Sequence, residues 1–109
     1  MHISDVPFSV IDWSKVAATD HPGETGKAIW RTFACGNLRV RMVDYSPGYR
    51  ADHWCSRGHV VLVMRGELIT ELKDGRKFVL PAGTSYQTAE NLEPHRSSTV
   101  NGATVFIVD

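Results

Sequence analysis

Seven short segments rich in glycine, proline and polar residues divide this chain: HPGETG (21–26), CGN (35–37), SPG (46–48), SRG (56–58), RG (65–66), KDG (73–75) and PAG (81–83). Between them lie short runs with a two-residue period, the spacing of strands rather than helices. In LRVRMVDY, residues 38–45, Leu38, Val40 and Met42 face one way while Arg39, Arg41 and Val43 face the other, which suits a half-buried strand. Similar strands fit 28–34, 60–65, 67–73, 76–80 and 103–109. Asp74-Gly75 marks a hairpin, because that pair tolerates the positive φ of a tight turn. Only a stretch at about residues 12–19 has room for two helical turns. The chain is therefore expected to be all-β with little helix, a sandwich or small barrel.

At 109 residues it is expected to form one domain, 1–109, with N-terminal strands over about 1–45 and the chemistry-bearing region over about 46–99. Lys plus Arg number 12 and Asp plus Glu 12, which removes the basic bias of a nucleic-acid binder. The arginines and lysines alternate with acids along the runs, Arg39 and Arg41 beside Asp44, as on a solvated sheet surface. The longest apolar stretch, VVLVM at 60–64, is too short to span a bilayer, and MHISDVPFSV lacks the pattern of a leader, so a cytoplasmic protein without a membrane partner is expected. Cys35 and Cys55 are then read as free or metal-bound thiols rather than a disulfide. The strands of 28–45 offer an edge for an identical subunit, hence an expected homodimer.

Within SPGYRADHWCSRGHVVLVMRG, residues 46–66, the chain places His53, Cys55 and His59 in seven positions and then enters an apolar strand. By strand parity His53 and Cys55 share a face, and His59 shares one with Val61 and Val63. If SRG turns the chain back on itself, a hairpin brings His59 opposite the pair. Unpartnered imidazoles buried in a barrel would cost about 1–3 kcal/mol each. A divalent ion resolves that cost, since neutral imidazole and thiolate are good ligands for zinc and also suit iron or nickel.

Gly48, His53, Cys55, His59 and Gly66, spaced G-x4-H-x-C-x3-H-x6-G, resemble the first motif of the cupin superfamily, G-x5-H-x-H-x3/4-E-x6-G. Gly75, Pro81, Gly83 and Tyr86, spaced G-x5-P-x-G-x2-Y, resemble its second, G-x5-P-x-G-x2-H-x3-N. The DHWC stretch is similar to that of a small subgroup with a DHCW-type sequence. The resemblance implies a conical antiparallel β-barrel of jelly-roll, double-stranded β-helix type holding one metal ion. It implies His53, Cys55 and His59 as ligands in the places of the two histidines and the glutamate, and Tyr86 in the place of the second-motif histidine. Only His53 keeps the usual identity, and Glu90 stands where asparagine is usual. EPHRSST, residues 93–99, resembles the His-Arg that follows the second motif in many cupins. It offers His95 as an alternative fourth ligand and Arg96 beside it. Of the two, His95 is preferred, a neutral imidazole being the commoner ligand, which leaves Tyr86 and Arg96 facing a substrate or supporting the ligands.

The implied function is a metal-binding cupin with a small-molecule pocket, its ion zinc, iron, nickel or manganese, and its chemistry that of a dioxygenase or isomerase of unstated substrate. A metal or redox sensor built on Cys55, or a metal-free binding barrel, are the alternatives. Trp54, between His53 and Cys55, is expected on the outer face, and Trp13 and Trp30 in packing roles. Cys35, His2 and His21 have no partner at ligand spacing.

Overall fold

A computed structural model describes Met1–Asp109. The chain folds into eight strands: β1 (Ala18–Pro22), β2 (Lys27–Cys35), β3 (Leu38–Tyr45), β4 (His59–Leu72), β5 (Lys77–Pro81), β6 (Ser85–Thr88), β7 (His95–Ser98) and β8 (Ala103–Val108). All pairings are antiparallel, in the order β1-β2-β3-β8-β4-β5, with β6 and β7 also on β4. The first half of β4 pairs with β8 and β6, and its second half with β5 and β7. Isolated bridges Thr25↔Arg50, Arg50↔Ser98 and Cys55↔His95 then tie the segment 50–55 across the gap between the two halves. This is the expected all-β barrel. No helix is long and apolar enough to cross a membrane.

The expected hairpin turns at CGN and KDG are present, with Gly36 at φ 54° and Gly75 at φ 102°. Four expectations are corrected. The stretch 12–19 makes only a single 3-10 turn, Trp13–Lys15, before β1 begins at Ala18. Arg65-Gly66 does not end a strand: β4 runs through it with a register shift, and Gly66 at φ 75° carries the kink that passes the strand from one half to the other. Residues 28–45 are an edge only in small part: β3 lies between β2 and β8, and β1 covers β2 over Lys27–Arg31, which leaves Thr32–Cys35 without a neighbour on that side. Finally, β3 is turned over relative to a simple reading of its alternation: Arg41 and Val43 are the buried residues, and Met42 is not.

Val43, Val61, Val63, Leu68, Val105, Ile107 and Ala28 form the buried core, with Trp30, Tyr45, Tyr49 and Tyr86 packed on it. Leu68 sits just past the kink, fully enclosed. Its replacement by alanine is expected to cost about 2–5 kcal/mol, read as a fall in denaturant midpoint at constant slope. Gly66→Ala should destabilise as well, for two reasons. The position is left-handed, and a Cβ there would collide with the carbonyl of Gly102, just before β8.

Candidate metal centre

Three donors meet at one wall of the barrel: Cys55 Sγ and ring nitrogens of His59 and His95, all within 4.8 Å of one another. Different parts of the chain supply them. His59 opens β4 and follows the inward parity of Val61 and Val63. His95 opens β7 and is almost fully buried. Cys55 lies in the irregular segment before β4 and is held opposite His95 by a reciprocal backbone pair, Cys55 N–H to the His95 carbonyl at 2.7 Å and His95 N–H to the Cys55 carbonyl at 2.9 Å. The expected hairpin between Cys55 and His59 is absent, and Cys55 finds its neighbour on β7 instead.

The ring orientations define what the cluster can hold. His59 Nε2 and His95 Nε2 approach to 2.8 Å. His95 Nδ1 lies 2.9 Å from the Glu93 carbonyl, which can only accept, so the proton resides on Nδ1. His59 Nδ1 faces Asp109 Oδ2 at 3.5 Å and has no other protein partner. With its proton on Nδ1, His95 leaves Nε2 as an acceptor, and a neutral His59 protonated on Nε2 donates across this contact. A metal ion taking the place of that proton would meet two imidazole nitrogens and a thiol sulfur, its usual ligands.

The electrostatics follow from burial and partners. Burial, reinforced by the neighbouring His95, pushes His59 down to about 4, so its ring is neutral at physiological pH. Hydrogen bonding between Cys55 and His95 lowers the thiol and raises the imidazole, the direction of a thiolate–imidazolium pair. Burial raises the Tyr86 phenol and keeps it protonated, its hydroxyl 3.3 Å from His59 Nε2. Beneath His59 lies Asp109, its side chain only 1% exposed. It accepts from Arg39 Nε and Nη2 at 2.8 and 2.9 Å and from Arg41 Nη2 at 3.0 Å. Burial alone would raise its carboxyl, but Arg39, Arg41 and Arg57 hold it below the ordinary carboxylate range.

His53 is not brought to the cluster. Its side chain is 75% exposed at the cavity rim, with Nδ1 2.6 Å from Asp52. Residues 51–58 do not form a regular strand, so the parity that grouped His53 with Cys55 has no hold there. Trp54 packs under the Arg96 guanidinium at 4.4 Å, and Arg96 itself bonds Glu71 at 2.9 Å. Cys35 is a free thiol near the Asp5 carbonyl. His21 stacks on Trp30 at 3.8 Å between ring centres, a contact its sequence position gave no sign of. A cavity of about 260 Å³ opens beside Cys55, His59 and His95, and a second of about 300 Å³ lies beyond His95 and Tyr86.

Comparison with protein-family models finds no match, and comparison with curated proteins finds none either. Solved structures do match. HppE in its iron(II) form with an alternative substrate superposes with TM-score 0.77 at 14% identity over 99% of this chain and 62% of that one. Hydroxypropylphosphonic acid epoxidase from S. wedmorenis gives TM-score 0.70 at 14% identity over 94% and 59%. A cupin-like protein from Thermotoga maritima gives 0.69 at 19% identity over 78% and 69%. The chain thus spans less than two thirds of the length of the first two. At these identities the likeness establishes the fold, and the fold is that of the cupins.

Proposed function

From the cupin fold and its His/Cys/His cluster, we propose that this chain is a mononuclear metal protein whose ion is held by Cys55, His59 and His95 and whose adjoining cavity receives a small molecule. The observation that carries the proposal is the convergence of one thiol and two imidazole donors, from three separate parts of the chain, within 4.8 Å of one another. Imidazole and thiolate suit zinc, iron and nickel better than manganese, and the iron(II) of HppE supports iron. Three protein ligands leave a position open, the arrangement of catalytic rather than closed structural sites. The bound ion would supply Lewis acidity and, for iron, a site for dioxygen.

The protein's own contribution is orientation and protection. The Glu93 carbonyl fixes the His95 ring with Nε2 toward the centre, and the Asp109 carboxylate faces the Nδ1 side of His59 at 3.5 Å. Burial keeps His59 unprotonated and available. Tyr86, protonated and beside His59, presents a hydroxyl that can donate to a substrate oxygen or hold a proton there. His53 and Asp52 stand at the rim, outside the ligand set. On this reading the protein is a dioxygenase- or isomerase-like enzyme.

A sensor role is the second reading, favoured by the half-buried Cys55 thiol whose ionisation His95 promotes and which oxidation would remove from the ion. Elemental analysis of protein expressed and purified without a histidine tag tests the metal. About one ion per chain is expected in the wild type and little in Cys55→Ala, whereas equal substoichiometric metal in both would refute the site. Oxygen consumption with candidate substrates then separates the readings: turnover marks an enzyme, and metal release by mild peroxide without turnover marks a sensor.

A further inference from the structure

We infer that the cavity beside the cluster is built for a small organic anion, its oxyanion head seated on Arg41 with Arg57 at the entrance; this rests on reading that cavity as the substrate pocket of the proposed metal site. Arg39, Arg41, Arg57 and Arg96 all line it, and no Asp or Glu side chain does. In a chain with equal numbers of acids and bases, that is a pronounced local excess. Arg96 is matched by Glu71. Asp109, behind the wall, is shared by Arg39, Arg41 and Arg57, so one carboxylate answers three guanidinium groups.

Arg41 is the telling member. Its side chain is 7% exposed, it lies over the Trp30 ring at 4.4 Å, and its buried Nε has no hydrogen-bond partner. A buried guanidinium with an orphaned donor is costly unless something else accepts from it. Core packing does not demand an arginine there: its neighbour two positions on, Val43, fills the same inner face with a hydrocarbon. An oxyanion entering the cavity would supply both the missing acceptor and the missing charge, through the fork geometry that arginine offers carboxylates and phosphates. The volume, about 260 Å³, lies below the roughly 300–1,000 Å³ of drug-sized pockets, which fits a short-chain acid.

Titration at constant ionic strength in low-chloride buffer tests this, using propionate and inorganic phosphate as anions and propionamide as the uncharged isostere of propionate. Protein stripped of metal and dialysed free of chelator is compared with metal-loaded protein, and the Arg41 Nε–H resonance is followed by NMR. A saturable shift is expected with both anions in both preparations, to roughly 50 mM ligand, and none with propionamide. Arg41→Met should weaken propionate roughly tenfold or more while leaving metal content near one per chain. Arg57→Gln, at a half-exposed position, should weaken it by a smaller factor and decides the matter should the Arg41 variant not fold. Equal shifts with propionamide, no saturable shift with any probe, or anion binding confined to the metal-loaded form would overturn the inference. Anion binding by the stripped form in a protein that never retains metal would sustain it while refuting the metal site.

Discussion

Replacing His95 with alanine is expected to abolish the stabilisation that added metal confers. A ligand present at about 100 times its Kd stabilises the native state by about 2.7 kcal/mol. In a domain of this size that corresponds to a rise in Tm on the order of 10 °C. His95 supplies one of three donors and is also the residue whose backbone pair holds Cys55 in place. Alanine keeps that backbone pair and removes only the imidazole, so the loss of a direct donor should reduce metal affinity by more than the 10–100-fold typical of a supporting partner. Differential scanning with and without iron(II) or zinc reads the effect: a metal-dependent rise in the wild type and none in His95→Ala. An unchanged rise in the variant would remove His95 from the ligand set.

Asp109→Asn should be the most destabilising isosteric change in the chain. It leaves the Arg39 and Arg41 guanidinium groups without their carboxylate in a buried setting, for which a cost of about 3–5 kcal/mol is usual. That is a large share of the 5–15 kcal/mol typical of a folded domain. The matched control is Asp74→Asn, whose partner Arg76 is more than half exposed and where only a small change is expected. A pH dependence accompanies it. Because the folded Asp109 carboxyl sits below its ordinary value, its contribution is fully present above that ordinary value and is lost as pH falls through the lower, folded one. Wild-type protein should thus lose stability in acid more steeply than Asp109→Asn. Parallel stability–pH curves for the two would show that the carboxylate carries no such linkage.

Local patterns in the chain disclosed much of this architecture. Hairpins at Gly36 and Gly75 follow from their turn chemistry, and the inward row His59, Val61, Val63 follows from strand parity. Where the chain is irregular, at 50–58, parity has no physical basis, and His53, which parity places with Cys55, faces solvent beside Asp52. The strand break expected at Gly66 is a kink, because a left-handed glycine can redirect a strand as readily as end it. Cys55 and His95 meet through a pairing across 40 positions that neither local stretch encodes. The inward position of Asp109 is legible by the same rule. The alternation that turns Val105 and Ile107 inward continues to it, and the same alternation turns Arg39 and Arg41 inward with Val43. Interleaved charges on those strands resemble a solvated face until the two rows are placed side by side.

X-ray absorption at the metal edge of protein loaded with one ion tests the central claim most directly. Cys55, His59 and His95 around a single ion require one sulfur scatterer at about 2.3 Å together with nitrogen or oxygen near 2.0–2.2 Å, the sulfur shell disappearing in Cys55→Ala. A shell of nitrogen and oxygen alone in the wild type, or a sulfur shell that survives Cys55→Ala, would contradict it.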